Sequence, residues 1–142
     1  MTGKPLTTAD YPIVEQRPDL VESARGKPLA ALSLEAVLRG DVTMADLRIT
    51  ANALKQQAEI ARSAERAALA GNFERASEMA AVPQAVIMEI YELLRPGRAG
   101  DKAELLAAAD RLRRDHAAEA LAAFIEEAAE VYASRGLFKT RY

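Results

Sequence analysis

An all-α fold is predicted for this chain by three features. It has 31 alanines among 142 residues, its apolar residues recur at three- and four-residue spacing, and capping residues stand where those patterns start and stop. The expected architecture is a small helical bundle over residues 32–142, preceded by an extended, proline-rich arm over residues 1–31. The length suits one domain with a real core. No internal repeat, sustained heptad or useful strand-like alternation interrupts this reading.

The arm holds four of the six prolines, Pro5, Pro12, Pro18 and Pro28, each of which biases its predecessor away from helix. It is expected to be irregular, with two alternatives for its order: disorder at the extreme end, or docking of Asp10 to Val21 through Tyr11, Ile13, Val14, Leu20 and Val21. Ser33 then caps a short helix, LEAVLR, that Gly40 ends, and Thr43 caps a turn through Leu47. Thr50 caps the longest helical pattern, from Ala51 to about Ala70, with Leu54, Ala58, Ala61, Ala68 and Leu69 on one side. Lys55, Glu59 and Arg62 are expected to form a solvated ladder on the other.

Gly71 and Asn72 read as turn or cap residues, and Phe73 opens a helix that ends near Val82. Pro83 fits the first turn of the next helix, where its missing N–H costs nothing. That helix, Gln84 to Arg95, is too apolar for its size. At about 100° per residue, Leu93, Val86, Ile90, Leu94, Ile87 and Tyr91 share one broad arc, with Met88 beyond its edge. The surplus predicts a second buried contact, either a central position in its own bundle or a partner.

PGRAG, Pro96 to Gly100, stops that helix. Asp101 with Glu104 resembles a capping box opening the next one, with Leu105, Leu106, Ala109 and Leu112 facing inward. The pattern resumes with Ala120, Phe124, Ala128 and Val131 up to Gly136. Continuity through Arg113 to Asp115 is left open by the period, and the tail LFKTRY is expected to fray.

Charge and composition narrow the function. Nineteen basic residues against 21 acidic give no electrostatic case for nucleic acid or an anionic membrane surface. The chain has no cysteine, so disulfides, thiolate nucleophiles and cysteine metal sites are all out of reach, which suits a cytoplasmic protein. No apolar run reaches membrane-spanning length, and MTGKPLTTADYP lacks the apolar core of a signal peptide.

No residue of the sequence reads as catalytic, cofactor-binding or metal-ligating. The single histidine, His116, follows Leu105, Ala109 and Leu112 on the inward face and reads as a packed or boundary residue, with no neighbouring nucleophile. Glu126, Glu127 and Glu130 read as an exposed acidic face. A di-iron bundle would need Glu-x-x-His on two helices. No Walker A loop, G-x-G-x-x-G after a strand or G-x-S-x-G is present. Asp46 and Arg48 form a tempting charged pair whose ordinary explanation is structural. The residues alone describe a helical interaction protein, for which the expected interface residues are Tyr11, Phe73, Ile87, Ile90, Tyr91 and Leu94.

The succession DYP at Asp10 to Pro12, LSLEAVLRGDVTMADLRIT ending at Thr50, NFERASEMAAVP, IMEIYELLRP, ELLAAADRL and AAFIEEAAEVY resembles the small subunit of adenosylcobalamin-dependent diol and glycerol dehydratases. The resemblance runs in order from Asp10 to about Leu137. It implies a helical, non-catalytic subunit packed on a large catalytic subunit, within a complex of large, medium and small chains that pairs as a dimer of heterotrimers. The complex would convert a 1,2-diol or glycerol to an aldehyde by radical dehydration. Adenosylcobalamin would lie between the large and medium subunits and not be bound by this chain alone.

Two departures accompany the resemblance. Some relatives carry an amphipathic N-terminal extension that targets bacterial microcompartments, which is not seen before the DYP segment here. The turn after Arg48-Ile49-Thr50 reads Ala51, Asn52, Ala53 where proline and an acid are common, which is expected to weaken that cap by about 1 kcal/mol. The alternative reading is a stand-alone helical adaptor with the same fold and a different partner.

Overall fold

The computed structural model describes residues 4–138, and among them every regular element is helical apart from one isolated bridge, Glu22 to Pro28. The elements are α1 (Ile13–Gln16), α2 (Leu34–Leu38), α3 (Ala51–Ser63), α4 (Ala67–Met79), α5 (Gln84–Leu93), α6 (Lys102–His116) and α7 (Glu119–Arg135). They fall into two compact units, one ending at Ala80 and the other beginning at Ala81.

In the first unit the arm is ordered, not extended. Three 3-10 turns (Thr8–Asp10, Pro18–Leu20, Leu29–Ala31) and α1 follow one another, and three of the four prolines start these turns: Pro12 and Pro28 as N-caps, Pro18 at the first turn residue. A fixed φ near −65° disfavours the residue before proline but favours a turn beginning at it. The arm docks within its own chain. Leu6 N–H donates to Glu59 Oε2 at 2.8 Å and Thr8 N–H to Ser63 Oγ at 2.8 Å. Leu6 and Ile13 bury with Ile60, supported by Leu20 and Val21.

The first unit's main helical contact is α3 on α4, where Ala58, Ala61 and Ala70 meet beside Phe73. Small side chains allow close approach but bury little area each. Four sequence expectations fail here. The long helix breaks after Ser63, because Glu65 takes a left-handed φ of 59° and closes a Schellman motif: its N–H donates to Arg62 O at 3.0 Å, and Arg66 N–H to Ala61 O at 2.8 Å. Glycine usually fills that position, so no glycine marks the end.

The helix onset expected at Phe73 lies earlier, for α4 runs through Gly71, Asn72 and Phe73 and ends at Met79. Ala68 and Leu69 are exposed while Ile60 and Ala70 are buried. The Lys55, Glu59, Arg62 ladder gives way to longer-range partners, since Glu59 accepts from the arm and Arg62 pairs with Glu74.

The second unit contains the largest core, with Val82, Val86, Ile90, Leu105, Leu112, Leu121 and Ile125 among its thirteen buried members. Pro83 is the N-cap of α5. Asp101 caps α6 by accepting from Glu104 N–H at 3.1 Å, while Glu104 reaches back one residue further than a capping box requires, to Gly100 N–H at 3.3 Å. α6 runs straight through Arg113 to Asp115 and ends at His116, and the turn into α7 comes at Ala117, whose φ is 51°. Arg113 spans the corner, donating to Glu119 at 2.8 and 3.0 Å and to Glu126 at 2.9 Å. These bonds, chiefly the pair to Glu119, raise the Arg113 pKa beyond its already high value.

Two inward assignments shift. Leu106 is exposed, and α7 buries Leu121, Ala122, Ile125 and Ala129, while Phe124 stays at the surface and Ala120, Ala128 and Val131 are half-buried. Leu137 and Phe138 do not fray. Gly136, at φ 65°, ends α7, and Phe138 packs on Tyr132 with ring centroids 6.0 Å apart. The rest of the expected fraying tail, residues 139–142, lies outside the described residues, as does the extreme N-terminal end.

Candidate docking surfaces

Among the described residues, α2 and the loop after it carry the densest run of exposed large apolar side chains. Ser33 Oγ accepts from Ala36 N–H at 3.2 Å and starts α2; Gly40, at φ 78°, ends it, with Asp41 N–H donating to Ala36 O at 2.9 Å. Only Ala36 and Val42 turn inward among the apolar residues here. Leu34, Val37 and Leu38, at i, i+3 and i+4, share the outer side of α2, and Met44, Leu47 and Ile49 are exposed on the loop. Leu34, Leu38 and Met44 each expose more than 70% of their surface.

What holds this loop is polar. The Asp46 side chain is fully buried. Its Oδ1 accepts from Arg25 Nε at 2.8 Å and from Ser23 Oγ at 3.2 Å; its Oδ2 accepts from Arg25 Nη2 and from Thr43 N–H at 2.9 Å, with Lys27 Nζ at 3.4 Å. The Arg25 hydrogen bonds, followed by those from Thr43 and Ser23, hold the Asp46 carboxyl well below the usual carboxylate range despite burial. Lys27 and Arg25 also donate to Asp41 O.

Residues 23–27, turning at Gly26 with φ 75°, therefore clamp residues 41–46. The expected role of Asp46 as a structural ion-pair partner holds, but its cation is Arg25, with Lys27 beside it, and not Arg48. The expected cap of the turn is also reversed: Asp46 accepts from Thr43 N–H. The sequence signal was a Gly turn flanked by two cations, Arg25-Gly26-Lys27, twenty residues away.

The six expected interface residues sort by position. Tyr11 and Phe73 line one cavity of the first unit, about 340 Å³, with Ile60 and Leu69. Tyr11 also borders a second, of about 630 Å³, between the arm and α3. Tyr91 and Leu94 line a groove of about 520 Å³ in the second unit with Pro96, Phe124, Val131 and Tyr132. Tyr91 is 58% exposed, as is much of Met88, so α5 is not enclosed by its own bundle. Ile87 is half-buried against the core, and Ile90 is buried within it, which occupies its side chain in folding. The surface of residues 34–49 was missed because LEAVLR and the turn after it read only as two short capped elements, and so short a helical pattern does not say which of its faces is covered.

His116 lies half-buried at the C-terminal end of α6. Among the described residues no group of three His, Asp or Glu side chains converges as metal ligands, and no helix is long and apolar enough to cross a membrane.

Comparison with known proteins agrees over nearly the whole chain. The sequence pattern of the family described as dehydratase small subunit matches residues 6–139. The propanediol dehydratase small subunit of Salmonella typhimurium is 46% identical over 138 residues, covering 97% of this chain and 79% of that protein. The propanediol dehydratase small subunit of Citrobacter freundii is 48% identical over 130 residues, covering 92% of this chain and 75% of that protein. With its ordered sequence likeness and all-helical structure, this chain belongs to the dehydratase small subunit family.

Proposed function

We propose that this chain is the small subunit of an adenosylcobalamin-dependent dehydratase acting on propane-1,2-diol or glycerol, in which it packs on the large catalytic subunit and supports the assembly with a medium subunit. The observation that carries this reading is near-50% identity, over almost its full length, to small subunits of propanediol dehydratases. Large apolar side chains left exposed on both units support it, since such surface favours association. A dimer of such heterotrimers, in the cytoplasm or a bacterial microcompartment, is part of the same proposal.

Adenosylcobalamin supplies the radical chemistry in such an enzyme when bound to the complex. The described residues do not form a cradle for it: no buried side-chain polar atom lacks a partner, and the lone imidazole sits at a helix end. No step is assigned to this chain through the cofactor. Its contribution is to position and stabilise the subunit that binds substrate.

Co-expression with the large and medium subunits, tagged pull-down, and an aldehyde-forming assay with propane-1,2-diol and adenosylcobalamin test the proposal. The chain is expected to co-purify, and its omission to shorten the lifetime of the activity. Full activity and equal stability of the other two subunits without it would overturn the reading and leave a stand-alone adaptor.

A further inference from the structure

We propose that the apolar surface of residues 34–49 is the face through which this chain docks on the large subunit, a step that rests on the function proposed above. Of the fourteen large hydrophobic residues exposed among the described residues, six (Leu34, Val37, Leu38, Met44, Leu47 and Ile49) fall in these sixteen positions. Their exposed fractions amount to about four whole aliphatic side chains, which is several hundred Å² of apolar area. That is the scale at which a monomer's patches become functional, and a large part of the roughly 800 Å² that each partner contributes to a specific interface.

Charge selects the kind of partner. The ionised residues interspersed with the patch are Glu35, Arg39, Asp41 and Arg48, two of each sign, and Arg39 Nε pairs with Asp41 Oδ2 at 2.9 Å. The flanking cations Arg25 and Lys27 are both turned onto the buried Asp46 carboxylate, so the surface stays close to neutral and fits an apolar protein face better than an anionic lipid or nucleic acid.

The shape is also fixed in advance. The buried Asp46 carboxylate, held by Arg25, Ser23 and Thr43, orders a loop whose own apolar residues point mostly outward. A loop ordered before binding loses less conformational freedom when it binds.

The test uses the double variant Leu38→Ser/Met44→Ser of the full chain, co-expressed with tagged large and medium subunits, with Leu106→Ser as an exposed control outside the patch. Because both altered side chains are more than 75% exposed, the isolated variant should melt as the wild type does, while its capture falls at least tenfold and the control is captured fully. Undiminished capture of the double variant alongside captured wild type would overturn the docking face and leave the subunit reading intact. Failure to capture the wild type would overturn the subunit reading itself. Sedimentation of the isolated chain distinguishes the remaining occupant: a wild-type dimer that the double variant abolishes, with capture unchanged, would assign the face to a second copy.

Discussion

The two units of this chain solve the same problem of stability by different means. The second unit has a continuous apolar core in which Leu105 and Leu112 are almost wholly enclosed. The first divides its interior between two small clusters, one of three buried aliphatic residues and one of alanines, and adds polar fasteners: Glu59 and Ser63 to the arm, and Asp46 to Arg25 and Ser23. Apolar burial is non-directional and scales with area, whereas a buried carboxylate fixes one geometry and is costly if any partner is lost. A unit fastened in the second way can leave its leucines and methionines outside. This difference explains why the first unit, and not the better-packed second, carries the densest exposed apolar surface.

Core truncation should separate the units most widely. Leu105→Ala is expected to destabilise the second unit by about 3–5 kcal/mol, and Ile60→Ala the first by roughly 2 kcal/mol, because the smaller cluster has less to lose and more room to collapse. Urea unfolding followed by a probe in each unit measures both. Equal losses would break the contrast between a continuous core and a divided one.

Acid should act on the clamp. Asp46 has its folded pKa depressed by Arg25 and its other donors, so its contribution is fully present above the ordinary aspartate range, near pH 4, and is lost as pH falls through the folded value. Asp46→Asn should therefore lower the first unit's urea midpoint clearly at pH 7 and much less at pH 3, with the second unit's midpoint unchanged. A loss of the same size at both pH values would show that the carboxylate's charge is not what fastens the loop.

Backbone changes should be smaller. Glu65 and Ala117 both end helices at positive φ, where an L side chain is strained and glycine is not. Glu65→Gly and Ala117→Gly are each expected to raise stability by up to about 1 kcal/mol in their own unit, read from thermal melts. A clear loss at either would mean that the side chain contributes more than the turn costs. The smallest folding effect belongs to Tyr91→Ala, within about 0.5 kcal/mol, because its side chain is largely exposed. A loss of 2 kcal/mol in the isolated chain would show that Tyr91 belongs to the core after all.

Several elements could be read directly from residues whose effect is local. Ser33, Thr50 and Asp101 each accept the N–H three residues on, and Thr50 does so at 3.1 Å although Ala51 and Ala53 replace the more usual proline and acid. Gly40, Gly136 and Pro83 stop or start helices as their backbone preferences require. The excess apolarity of α5 was legible too, and its outcome is the exposed Tyr91 and Met88.

The register of α7 was not legible. Alanine recurs along that helix, so two stripes fit nearly equally well, and the choice of Leu121, Ala122, Ile125 and Ala129 over Ala120, Phe124, Ala128 and Val131 depends on what α6 presents. The helix ends at Glu65 and Ala117 were hidden for another reason, since neither residue type favours the left-handed conformation and only the surrounding chain imposes it.

By itself, then, the sequence determined the all-helical class, the caps at Ser33, Thr50 and Asp101, the loop at Pro96 to Gly100 and the family likeness, because these depend on residues close together in the chain or on order along it. Tertiary structure decided which alanines face inward, that the arm folds back on α3, and that Asp46 takes Arg25 from twenty-one residues away. It also decided that the leucines of α2 face out. Each of these depends on distant groups meeting, and whether a side chain is buried is a property of its neighbours in space, which spacing along one helix does not contain.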